Sequence, residues 1–99
     1  MSYLHLILRA VHSEANINRV YEIAVHKGLF SSWLVMLAYG RYNGSSTQKS
    51  YSFMSLDEVM KFIHKTLKKR FTAERRIGCN YKLVQKKGSV DLLDSILFI

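Results

Sequence analysis

The chain has 99 residues, 48% of them hydrophobic and 22% charged, with no proline. This composition predicts one small folded domain; it excludes a low-complexity chain, and a core of this size leaves no room for a deep substrate cavity as well. Fifteen Lys and Arg against seven Asp and Glu give a net charge of +8, which favours a polyanionic partner such as nucleic acid, an anionic membrane or an acidic protein.

Residues 3–11 predict a first strand. Period-two alternation puts Tyr3, His5, Ile7 and Arg9 on one face and Leu4, Leu6 and Leu8 on the other. A polar turn follows at 12–18. Residues 19–26 predict a second strand, with Tyr21, Ile23 and Val25 on one face, ended by Lys27 and Gly28. Residues 32–42 are apolar on both faces and predict a long strand at the centre of the sheet. "NGSS" at 43–46 predicts a tight hairpin, because Asn-Gly readily takes positive φ. The returning strand spans 49–54, with Tyr51 and Phe53 inward and Ser50 and Ser52 outward.

A helix is predicted from Ser55 to about 70–72. Ser55 and Glu58 have capping-box spacing, and Asp57 adds negative charge at the positive end of the helix dipole. Leu56, Val59, Met60, Ile63 and Leu67 form an apolar stripe, flanked by Phe62, with Lys61, Lys65, Lys68 and Lys69 away from it. After a turn containing Gly78 and Asn80, residues 81–85 predict a last strand. The apolar tail at 88–99 is expected to dock on the core as a short helix or an edge strand. The whole is one α+β domain over 1–99, with a core at about 3–86: an antiparallel sheet packed by one α-helix.

Cys79 is the only cysteine. No internal disulfide is possible, a reducing compartment is expected, and a cysteine-built zinc site is excluded. His5, His12, His26 and His64 show no metal-ligand spacing, so no metal and no cofactor is expected. Asp57 and Glu58 read as capping residues rather than an acid/base pair, and no base is placed to activate Cys79; no catalytic activity is expected. "YLHLILRAV" is too short for a signal sequence, and no run of about 18 apolar residues occurs. The expected location is cytoplasmic. A membrane-surface role for the basic helix is disfavoured, because its apolar stripe is needed to cover the sheet.

The charge is uneven. Residues 61–87 hold ten basic side chains and one acid, Glu74, so that segment alone carries +9. A solvated helix face would account for part of it. Contiguous Lys68, Lys69 and Arg70, followed by Arg75 and Arg76 in a loop, suit a phosphate backbone better.

The order and spacing of "NINRVYEIAV", "LFSSWLVMLAYGRYNGSSTQKSYSF", "SLDEVMKFIHKTLKKR" and "IGCNYKLV" resemble a stand-alone bacterial WGR domain, over roughly residues 4–84. The family's tryptophan is replaced here by Tyr39, in "YGR". The resemblance implies a twisted antiparallel sheet packed by one helix, and nucleic-acid binding. In the DNA-dependent poly(ADP-ribose) polymerases this domain contacts DNA ends and breaks and docks neighbouring domains. Carried over, Tyr39 and Arg41 become candidate contacts, with Gly40 permitting close approach. No polymerase domain fits in this length.

From the residues themselves, Tyr39 is either a sheet-packing aromatic or a stacking contact, and Arg41 either a solvated strand end or a bidentate phosphate ligand. Trp33 reads as core. Lys49, across the hairpin from the Arg41 region, joins the patch or is a solvated edge lysine. The expected function is non-catalytic nucleic-acid binding, DNA before RNA, at ends, nicks or single-stranded junctions. Tyr39, Gly40, Arg41 and Lys49 form one part of the surface; Lys65, Lys68, Lys69, Arg70, Arg75 and Arg76 supply phosphate contacts. The alternative is a protein-interaction module, assembling as a homodimer through its tail.

Overall fold

The computed structural model describes residues 3–73 and 78–88. Arg75, Arg76 and the apolar tail lie outside the described residues. The elements are β1 (Leu4–His12), β2 (Ile17–Lys27), β3 (Trp33–Arg41), β4 (Ser46–Phe53), α1 (Leu56–Phe71) and β5 (Lys82–Gly88), with a short 3-10 turn at Ser13–Ala15. The strands form one antiparallel sheet in the order β4-β3-β2-β1-β5, and α1 packs on one face of it. This is an α+β domain.

Strict alternation builds the core. Leu4, Leu6 and Leu8 of β1 pair in register with Val25, Ile23 and Tyr21 of β2, and all six are buried. Val35 and Leu37 of β3 continue that face, and Val59, Ile63 and Leu67 of α1 close over it. Each such aliphatic side chain, taken fully from water, contributes roughly 1.5–3 kcal/mol. Tyr3 departs from the alternation expected of it. It precedes β1, so the pleat does not constrain it, and its ring meets Trp33 edge-on at 4.9 Å. Trp33 packs against the core.

The middle strand is β2; β3 lies beside it, covered on both edges by β2 and β4. The polar turn expected at 12–18 is four residues between strands, with His12 ending β1 and Ile17 opening β2. His12 Nδ1 accepts a hydrogen bond from the Ala15 amide at 3.2 Å, and Asn16 takes the left-handed conformation (φ 54) that asparagine tolerates. In the β3–β4 hairpin the Gly44 amide donates to the Arg41 carbonyl at 2.9 Å, and Asn43 alone of the Asn-Gly pair has positive φ (60). The turn therefore centres on Tyr42 and Asn43, and β4 begins earlier than expected, at Ser46.

The helix start follows its capping signal. Ser55 Oγ accepts from the Glu58 amide at 3.2 Å, and Glu58 Oε2 accepts from the Met54 amide at 3.3 Å. At its other end Thr72 Oγ1 donates to the Lys68 carbonyl at 2.7 Å, and the Tyr81 amide donates to the Arg70 carbonyl at 3.0 Å. These bonds satisfy carbonyls that a helix end leaves without intrahelical partners. No helix among the described residues is long and apolar enough to cross a membrane.

Candidate nucleic-acid interface

Residues 62, 65, 66, 69 and 70 recur at the three-and-four spacing of a second helical stripe, beside the buried stripe of Val59, Ile63 and Leu67. That second stripe faces Tyr21 of β2, Leu37 and Tyr39 of β3, and Lys49 and Tyr51 of β4. Between them lies an open cleft of about 360 Å³. Its floor is aromatic: Phe62 meets Tyr51 at 4.9 Å between ring centroids. Its rim carries Lys49, Lys65, Lys69 and Arg70, and no carboxylate lines it among the described residues.

Four of these side chains form a continuous row. The Arg70 guanidinium lies 4.5 Å over the Tyr21 ring. Tyr21 stacks on Tyr39, with centroids 5.2 Å apart and planes inclined by 11°. Lys49 Nζ is 6.0 Å from the Tyr39 centroid. Both cations sit where the negative faces of the rings attract them. Arg70 Nε is buried and has no hydrogen-bond partner.

The tyrosines and cations tune one another. Burial pushes the Tyr21 phenol above its ordinary range, with the Arg70 charge opposing it. The nearby Tyr39 phenol is the main cause that raises Lys49 above the usual lysine value, so this exposed ammonium stays charged.

Of the residues expected from the sequence, Tyr39, Lys49, Lys65, Lys69 and Arg70 line this cleft. Lys49 pairs with Leu37 rather than facing the Arg41 region. Lys68 is exposed on α1 away from the cleft. Arg75 and Arg76 lie outside the described residues. Arg41 does not line the cleft; its Nη1 and Nη2 donate to the carbonyl and Oδ1 of Asn16, at 3.0 and 2.9 Å. A Cβ at Gly40 would collide with the Ser45 carbonyl oxygen, so the hairpin itself requires the glycine. Tyr21, Leu37, Tyr51, Phe62 and Thr66 line the cleft as well, outside the residues expected from the sequence. The 62-65-66-69-70 spacing was the available signal for the helical pair.

The opposite sheet face differs in charge. Glu22 lines two of its shallow clefts and pairs with His5 at 3.0 Å, while a third, of about 510 Å³, is lined by Arg9, His12 and Lys82 with no carboxylate among the described residues. Arg9 there lies 4.1 Å over the Tyr42 ring and donates to Asn18 Oδ1 at 2.6 Å. Among the described residues no group of three His, Cys, Asp or Glu is placed to hold a metal ion.

No protein-family model matches the chain, and no curated protein is significantly similar to it.

Proposed function

We propose that this protein is a non-catalytic nucleic-acid-binding domain, DNA before RNA, whose phosphate-contacting surface is the basic rim between α1 and β4. One observation carries the reading: Lys49, Lys65, Lys69 and Arg70 converge on a tyrosine-floored cleft that no carboxylate lines among the described residues. Cations at a phosphate backbone release condensed counterions, and aromatic rings beside them offer faces to bases. The resemblance to WGR domains supports the same class of ligand, and a WGR-like fold is compatible with four strands, a helix and a strand in that order. Fluorescence anisotropy with labelled DNA over a salt series tests it. Four phosphate contacts predict a slope of log K against log salt of about −3 to −4. Binding indifferent to salt, or absent at low salt, refutes it.

A second reading, self-assembly, has an observation of its own. Leu29 and Phe30 at the β2–β3 hairpin tip are 79% and 93% exposed. Two large apolar side chains so placed suit a protein contact. Light scattering of the full chain and of Phe30→Ser decides: a dimer mass that falls to monomer in the variant supports assembly through the tip, and a monomeric parent removes it.

A further inference from the structure

We infer that the cleft over β1 and β5, on the sheet face away from α1, binds the phosphate group of a small phosphomonoester, with Arg9 and Lys82 as its two cations. The inference is independent of the nucleic-acid reading, which concerns the other face. Arg9 alternates with Leu8 and Ala10, both buried on the helix side, so its side chain leaves the sheet on the opposite side. Arg9 and Lys82 lie directly opposite each other in the β1–β5 register, and both line this cleft of about 510 Å³. Like charges so placed destabilise a sheet. Among the described residues neither has an ion-pair partner, and no carboxylate lines the cleft. Lysine on an edge strand guards against pairing with another edge, but that role needs no arginine opposite. Lys86 and Lys87 on the same strand meet Leu6 and His5 instead. A doubly charged oxyanion between Arg9 and Lys82 turns one repulsion into two attractions.

Arg9 is fixed in place by contacts that leave most of its donors unused. Its guanidinium lies 4.1 Å over the Tyr42 ring, and Nη2 donates to Asn18 Oδ1 at 2.6 Å. These contacts set its plane and engage one of its five N–H groups. Nε is buried without a hydrogen-bond partner, so internal bonding alone does not account for the position of this arginine. His12 lines the same cleft and adds a neutral donor. Its Nδ1 accepts from the Ala15 amide, which puts the proton of the neutral ring on Nε2. Val11 and Val84, both more than half exposed, line the cleft as well. Ligand sites combine apolar walls with a few polar groups that fix orientation. Two valines beside two cations therefore suit a phosphate that carries a small apolar group better than free phosphate.

The test titrates phenyl phosphate and inorganic phosphate into the isotope-labelled full chain at constant ionic strength, following the amide NMR shifts of Gly78, Cys79 and Lys82. Both should give saturating shifts there, with phenyl phosphate at least about three-fold tighter because part of its ring leaves water. Lys82→Gln, at an exposed position where folding is not at stake, should weaken phenyl phosphate about ten-fold, the effect of one charge-assisted hydrogen bond. Arg9→Lys keeps the charge, loses the planar fork and should weaken it as well. Phenyl phosphate should also raise the urea midpoint of the parent more than that of Lys82→Gln, since a ligand stabilises only the fold that binds it. No saturation by about 20 mM, beyond weak millimolar binding, overturns the site. So does an affinity unchanged in both variants, or an equal midpoint gain in parent and variant. A dT oligomer that displaces phenyl phosphate from these amides gives the face to nucleic acid and overturns the small ligand. A chain that binds phenyl phosphate here and no DNA keeps this site and refutes the nucleic-acid reading alone.

Discussion

Tyr21 and Tyr39 lie opposite each other in the β2–β3 register and stack with their planes inclined by only 11°. Tyr21 is buried and Tyr39 half-buried, so the pair joins the core to the floor of the basic cleft. The same contact that stabilises the sheet presents a ring to the ligand side. A double-mutant cycle with Tyr21→Leu and Tyr39→Leu should give a coupling of about 0.5–1.5 kcal/mol in urea denaturation, the range for aromatic pairs beyond their area burial. Additive effects would mean that the rings stack without stabilising each other.

Gly40 is held by its own hairpin. A methyl group there meets the Ser45 carbonyl oxygen, which is backbone and cannot swing aside. Gly40→Ala should destabilise the fold by about 1–3 kcal/mol, the usual cost of forcing extra volume into a packed site. An unchanged urea midpoint would show that the hairpin relaxes freely.

Arg41 ties the end of β3 to the turn before β2. Loss of its two hydrogen bonds to Asn16 in Arg41→Ala should cost about 1 kcal/mol, because the pair is exposed. The same variant should keep the parent's DNA affinity and salt slope, since Arg41 does not line the cleft. Loss of that affinity would move the binding site to the hairpin end of β3.

The β2–β3 hairpin turns at Phe30 and Ser31, both with positive φ (56 and 61), and the Ser32 amide donates to the Leu29 carbonyl at 3.1 Å. Two successive left-handed residues define a turn that favours Asn-Gly. A left-handed residue other than glycine costs of order 1–3 kcal/mol. Phe30→Asn with Ser31→Gly should therefore raise stability by about 1–2 kcal/mol, measured as a higher urea midpoint at unchanged slope. A neutral or destabilising result would show that the Phe30 and Ser31 side chains contribute contacts of their own.

Stability should fall in alkali through Tyr21. Its pKa is raised in the folded protein, chiefly by burial, so folding favours the neutral phenol. The contribution is complete below the unfolded tyrosine value of about 10 and is lost as pH rises through the higher folded value. Thermal melts between pH 9 and 12 should show a shallower decline for Tyr21→Phe than for the parent. Equal declines would assign the alkaline loss to other groups.

Much of the fold was legible because its signals are local. Alternation of Leu4, Leu6 and Leu8 follows from the two-residue period of a strand, and Ser55 with Glu58 marks a helix start within one turn. The basic segment from 61 to 87 likewise pointed to a polyanion from charge alone. Local signals failed where two conformations were both open to the same residues, as at Asn43 and Gly44, where only Asn43 takes the positive φ and the turn centres one residue earlier.

What the sequence by itself determined was which residues could face a core, where the helix began and how much positive charge the chain carries. What only the tertiary structure decided was which of them meet. Tyr21 and Tyr39 are eighteen positions apart, and Arg41 lies twenty-five from Asn16; both contacts depend on strand register. A slip of one residue would send each side chain to the other face of the sheet. That register, with one helix laid across it, turns scattered tyrosines and lysines into a single cleft and gives the arginine of "YGR" to the turn beside it.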